Sequence, residues 1–181
     1  MLRPPELPNS KAPERDVLPS AVFLFGLSGA GKSYCGELLS RRLGFSCVEL
    51  DQHLTAAMKL AIHEKRSFTD EMRDEYFSII KGVVQSRIES GGRFIFVQGA
   101  YRERHRRFLK TEIPSLEFVC VSAPSGLIQQ RLSARGDWVG PEYAAAIAKN
   151  FEHPAGTREL VNDGASDDEL VERFVALFSH G

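Results

Sequence analysis

Gly26-Leu27-Ser28-Gly29-Ala30-Gly31-Lys32-Ser33 fill every fixed position of the pattern G-x-x-x-x-G-K-[ST], the spacing of a phosphate-binding loop. A loop that wraps a polyphosphate turns several backbone N–H groups inward. Residues without a Cβ tolerate the close approach and left-handed dihedrals this requires, and Gly26, Gly29 and Gly31 supply them. Lys32 is spaced to reach the β and γ phosphates of a nucleoside triphosphate, and Ser33 to hold Mg²⁺. Asp51 follows a second apolar run, at a strand's carboxyl end beside the loop. It is placed there to orient or deprotonate an attacking hydroxyl, or to help hold Mg²⁺. Capping a following helix is the other use of an Asp at that position.

Arginines supply the remaining candidate chemistry. Arg102, Arg104, Arg106 and Arg107 form a cluster interrupted by a Glu and a His, which reads mainly as a solvated helix face. One of them is available to an anionic substrate, because guanidinium matches carboxylate and phosphate geometry. Arg131 and Arg135 lie four apart, just before Gly136-Asp137-Trp138-Val139-Gly140. They read as lid arginines that stabilise charge on transferring phosphoryl oxygens while closure excludes water; pairing with a helix C-terminus is the alternative.

The elements that must position these residues alternate along the chain. Apolar runs predict strands at Ala21 to Phe25, Cys47 to Leu50, Arg93 to Val97, Leu116 to Val121 and Arg158 to Val161. Helical spacing predicts Lys32 to Leu43, Leu54 to Ile62, Asp70 to Ile88, Tyr101 to Leu109, Ser125 to Ala134, Pro141 to Asn150 and Asp167 to Phe178, the last capped by Ser166. A βαβ series of this kind implies an α/β fold with a mostly parallel sheet covered on both faces, and ligands at the carboxyl ends of its strands.

Composition sets the frame. The 181 residues, 43% of them hydrophobic, suit one domain with one core, here residues 21–181. Residues 1–20 hold five of the nine prolines (Pro4, Pro5, Pro8, Pro13, Pro19) without a signal-like apolar stretch, which predicts a disordered tail. A net charge of −1 gives no general attraction to nucleic acid, and no apolar run is long enough to span a bilayer, so the expected partner is a small molecule. Three separated cysteines, Cys35, Cys47 and Cys120, fit reduced thiols of a cytoplasmic protein.

From about Val22 to Pro154 the chain resembles the thermoresistant gluconokinases, within the small P-loop metabolite kinases that include shikimate kinases. The loop, Phe68-Thr69-Asp70-Glu71-Met72-Arg73, Gly99-Ala100-Tyr101-Arg102 through Arg106, Arg131-Leu132-Ser133-Ala134-Arg135 and Asn150-Phe151-Glu152 to Pro154 carry the resemblance. It implies a three-layer P-loop kinase fold with a five-stranded sheet and a small lid, and phosphoryl transfer from ATP, with Mg²⁺, to D-gluconate. It further implies Lys32 and Ser33 at ATP and Mg²⁺, Asp51 at the acceptor hydroxyl, Arg73 and Arg106 near the acceptor, Arg131 and Arg135 at the phosphates, and a homodimer. The chain departs from the family at G-D-x-L-H, which aligns with Leu50-Asp51-Gln52-His53-Leu54: the Asp is kept, the Gly is replaced and the His is shifted by one. Shikimate or another small metabolite is the alternative acceptor; Glu49-x-Asp51 is similar to the shikimate kinase D-x-D. An ATP-binding regulatory protein without acceptor chemistry is the reading from a different class.

Overall fold

The computed structural model describes residues 18–135, 145 and 148–179, the Arg135 side chain excepted. The expected tail up to residue 17, the expected lid and most of the expected helix at Pro141 to Asn150 lie outside these residues. Five strands, β1 (Ala21–Phe25), β2 (Ser46–Glu49), β3 (Phe94–Val97), β4 (Glu117–Ser122) and β5 (Arg158–Val161), form one sheet in the order β2-β3-β1-β4-β5. Every neighbouring pair is parallel. Their carboxyl ends therefore share one edge, which brings Gly26, Glu49 and Gln98 together although they are far apart in sequence.

Six helices of the described residues flank the sheet: α1 (Lys32–Leu43), α2 (Ala56–His63), α3 (Asp70–Glu89), α4 (Glu103–Glu112), α5 (Ser125–Arg135) and α6 (Asp167–Ala176). Alternate strand residues point to opposite faces and so feed two cores. Val22, Leu24, Ile95, Val97, Val119 and Val121 pack with Leu38 and Leu39 of α1 and Phe174 of α6. Phe23, Phe25, Phe94 and Phe96 pack with Tyr76, Phe77 and Ile80 of α3 and Leu109 of α4. None of the described helices is long and apolar enough to cross a membrane.

Local chemistry sets the ends of the elements. Thr55 and Thr69 cap α2 and α3 by accepting the N–H of Met58 and of Met72, each at 3.2 Å. Ser166 and Glu169 form a reciprocal capping box at α6, as the sequence predicts for Ser166. β1, α1 and β5 have their expected bounds, whereas β2 ends at Glu49 because Leu50–His53 turns into a 3₁₀ helix. α2 starts two residues later than expected, after its Thr55 cap, and α4 starts at Glu103 because Arg102 is extended. The described residues begin at Leu18, which is buried and whose carbonyl accepts from Arg93.

All three cysteines are free, and burial pushes the thiols of Cys35, Cys47 and Cys120 up to about 11, which leaves them protonated and unreactive. Phe174 is fully buried, with Phe178 and Phe45 ring centroids 5.4 and 6.3 Å away. Phe174→Ala should cost about 3–5 kcal/mol in urea unfolding; a loss under about 1 kcal/mol would show that α6 contributes little to that core.

Candidate active site

Backbone geometry builds the phosphate loop. Gly26, Gly29 and Gly31 have φ of 145°, 83° and 94°. A Cβ on Gly26 would lie 2.2 Å from the Val121 carbonyl oxygen, and one on Gly31 would lie 2.2 Å from Asn162 Nδ2. The Ala30 carbonyl accepts from Asn162 Nδ2 at 2.9 Å and from Arg131 Nη1 at 3.2 Å. Arg131 also reaches the Gly29 carbonyl at 3.3 Å and Asn162 Oδ1 at 3.2 Å. In a trans peptide the N–H points opposite to the C=O, so fastening the Ala30 carbonyl from behind turns the Gly31 N–H the other way. Gly31 also stands at the N-cap of α1, whose positive N-terminal end adds to the attraction for an anion. Lys32 Nζ donates to the Leu27 carbonyl at 3.0 Å, bridging the loop.

Two carboxylates stand at the end of β2. Glu49 Oε1 is buried without a hydrogen-bond partner among the described residues. Burial pushes the Glu49 carboxyl up; the Ser33 hydroxyl and the Lys32 charge pull it partly back, while Asp51 and Glu37 push it further. Asp51, in the 3₁₀ turn, is exposed and accepts from Gln98 Nε2 at 2.8 Å. It caps no α-helix, since Thr55 has that role for α2. Gln98 also donates to the Tyr76 hydroxyl, which in turn donates to the Leu50 carbonyl at 2.8 Å.

α3 and the chain that follows β3 make the facing wall. Arg73 Nη1 donates to the carbonyls of Phe68 and Thr69, and the guanidinium lies 5.8 Å from the Phe68 ring centroid. Its Nε and Nη2 make no hydrogen bond among the described residues. The His105 ring stacks on Phe77 at 4.2 Å and 7°, and its Nε2 lies 2.8 Å from Asp74. Tyr101 reaches across to Ser28, 3.4 Å between hydroxyls. Loop, carboxylates and wall enclose a cleft of about 380 Å³ lined by Lys32, Ser33, Glu49, Asp51, Arg73 and His105 among others, a volume that suits a small ligand.

A family model for the AAA domain matches residues 22–154. The chain belongs to the AAA domain family. The chain is similar to a shikimate kinase from Chlorobium phaeobacteroides, 26% identical over 90% of this chain and 72% of that protein. It is also similar to a gluconokinase from Arabidopsis thaliana, 22% identical over 67% of this chain and 70% of that one. A solved gluconokinase structure from Sinorhizobium meliloti superposes with a TM-score of 0.74 at 21% identity, covering 89% of this chain and 92% of that one, so the P-loop kinase fold is shared.

Several expected residues of this AAA domain meet in the cleft: Lys32, Ser33, Asp51 and Arg73. Arg131 sits behind the loop, tied to its carbonyls, whereas the Arg135 side chain lies outside the described residues. Arg106 does not line the cleft. It is buried and donates to the carbonyls of Ala100 and Glu152, at 2.6 and 2.7 Å, and to the Glu103 carboxylate at 2.6 Å, with the Phe25 ring centroid 5.0 Å away. Arg102 lines the cleft in its place and pairs with Glu152 at 3.1 Å. Nothing local announces Asn162, Gln98 or Tyr76, whose bonds to Ala30, Asp51 and Leu50 span 132, 47 and 26 positions.

His105 yields a pH prediction. Burial depresses its pKa below the ordinary 6.5, with Arg104 acting in the same direction, and the Asp74 bond opposes them only in part. Below pH 6.5 the unfolded chain gains a proton that the folded one still refuses, so stability contributed above that pH is lost as pH falls through the folded value. Replacing His105 by Phe, which keeps a ring on Phe77, should flatten the fall in unfolding free energy as pH is lowered below 6.5, measured by denaturant titration. Parallel curves for the two proteins in that window would contradict it.

Proposed function

We propose that this protein is a small-metabolite kinase that moves the γ-phosphoryl group of ATP to a hydroxyl of a small anionic acceptor, with D-gluconate the first candidate. The observation that carries this reading is the placing of Asp51 in the same cleft as the loop Gly26 to Ser33. Phosphoryl transfer demands little covalent chemistry from a protein. It needs a bound donor, neutralised charge and an acceptor oxygen in line.

Each residue then has a defined task. The loop amides and Lys32 bind the β and γ phosphates. Ser33 and Glu49 fit a site for Mg²⁺, because Glu49 Oε1 is a buried, unpartnered oxygen beside Ser33, and hard oxygens suit this ion. When bound, Mg²⁺ supplies charge neutralisation on the phosphate oxygens. Asp51 accepts the acceptor's hydroxyl proton or orients that hydroxyl. The unspent Nε–Nη2 edge of Arg73 matches a carboxylate in bidentate geometry, which supports an anionic acceptor. Arg131 holds the loop in shape behind the phosphates.

A second acceptor class has an observation in its favour. Leu54, Met58, Ile62 and Phe68 line the cleft, and an apolar wall suits a cyclic hydroxy acid of the shikimate type better than a chain with a hydroxyl on each carbon. ADP release with Mg-ATP, measured against sugar acids, shikimate and polyols, decides between them. With the acceptor so found, Asp51→Asn should lower kcat by about 10²-fold or more while the Kd for ATP stays within about twofold. Lys32→Ala should abolish ATP binding, and Glu49→Gln should raise the Mg²⁺ needed for half-maximal rate by about tenfold or more. Unchanged turnover in Asp51→Asn would sink the role given to Asp51, and ATP binding with no acceptor turned over would sink the kinase reading and leave the nucleotide-binding one.

A further inference from the structure

Asp51 is an exposed carboxylate on a short side chain, and such a group ordinarily samples several staggered rotamers. Here one of its oxygens, Oδ1, is held by Gln98 Nε2 at 2.8 Å, and the carboxylate makes no other hydrogen bond among the described residues. The orientation of the Gln98 amide is itself fixed, because its two ends meet partners that cannot exchange roles. Gln98 Oε1 accepts the Gly99 N–H at 2.5 Å, and an N–H can only donate. Gln98 Nε2 faces a carboxylate, and an ionised carboxylate can only accept.

Tyr76 completes the constraint. It is 2% exposed, and burial keeps its phenol protonated. Its single proton goes to the Leu50 carbonyl at 2.8 Å, so its oxygen is left to accept the other proton of Gln98 Nε2. Tyr76 thereby grips the chain next to Asp51 through the Leu50 backbone, and grips the Asp51 side chain through Gln98. Both protons of Gln98 Nε2 and one lone pair of its Oε1 are spent within this network, and Asp51 Oδ2 is left for an incoming hydroxyl.

We propose that Gln98 and Tyr76 are positioning residues that hold the Asp51 carboxylate toward the acceptor hydroxyl. The inference rests on the role given to Asp51 above. It concerns residues on β3's carboxyl end and on α3, neither of which touches the phosphate loop in this network.

A double-mutant cycle tests it with the acceptor found in the panel. Gln98→Leu should lower kcat by about tenfold or more, since displacing a reacting group by about 1 Å costs on the order of 10²-fold, with the KM for ATP within about twofold. In an Asp51→Asn background the same substitution should change kcat by less than about twofold, because the group it positions is gone. A role in stability alone would give equal losses in both backgrounds and would overturn the inference. Gln98→Glu, isosteric and able to keep the Gly99 bond, guards against misfolding of the Leu variant; it sets a second carboxylate against Asp51 and should also lower kcat by at least about tenfold. Loss in Asp51→Asn with none in the Gln98 variants would refute positioning while leaving the kinase reading intact. If no acceptor is found, NMR of the acceptor-free protein decides. The Gln98 side-chain amide protons should be slowed in exchange, and both Tyr76→Phe and Asp51→Ala should shift them; resonances insensitive to both substitutions would overturn the proposal.

Discussion

A loop that offers bare N–H groups to a polyphosphate cannot satisfy those groups with its own carbonyls, so its shape must be enforced from outside. Here that enforcement comes from the far end of the chain. Asn162, immediately after β5, donates to the Ala30 carbonyl across 132 positions, and Arg131 from α5 joins it. The Asn162 contact requires β5 to pair with β4, and β4 with β1, so that the first loop and the end of β5 face each other. The anion site is thus a product of the closed sheet and not of the eight-residue motif alone. A buried amide such as that of Asn162 is tolerated because both its ends are bonded, Nδ2 to Ala30 and Oδ1 to Arg131.

The end of β2 separates two carboxylates that sequence places two residues apart. Had the strand continued, Glu49 and Asp51 would have shared one face of the sheet. The 3₁₀ turn at Leu50–His53 breaks that alternation, leaving Glu49 partly buried beside Ser33 and Lys32 and Asp51 exposed beside Gln98. Two acids in distinct environments can take distinct tasks, one toward a cation and one toward a hydroxyl. Leu50 contributes twice to this arrangement: its side chain is fully buried in the aromatic core, and its carbonyl is held by Tyr76.

Much of this was legible in the residues. Strands with unbroken apolar runs, such as Ala21 to Phe25, announce burial on both faces, and the loop motif names its own flanking elements, which is why β1 and α1 have their expected bounds. Errors occur where a side chain overrides periodicity. Thr55 sets the start of α2, and Arg102 stays extended while Tyr101 reaches the phosphate loop. Asn162 and Gln98 were invisible because nothing local distinguishes a polar residue that ends a strand for solvent from one that ends it for a long-range bond, and Tyr76 because its place on α3 marks it only as a core residue.

The arginines show most clearly why residue type underdetermines role. Arg106 and Arg73 both read as acceptor ligands, yet a guanidinium can bind an anion only with donors not already spent. Arg106 is 5% exposed and must be paired where it sits; two carbonyls, Glu103 and the Phe25 face consume it, so it braces the chain after β3 against the Glu152 segment. Arg102 enters the cleft already half-neutralised by Glu152. Arg73 is anchored through one nitrogen to the carbonyls of Phe68 and Thr69, which fixes the plane of the guanidinium and leaves its other edge unspent. An anchor of this kind lowers the entropy lost when an anion docks, since the longest flexible part of the side chain is already ordered before binding. What distinguishes a binding arginine from a structural one here is therefore the count of its uncommitted donors, a property of the fold that no spacing of arginines in a sequence encodes.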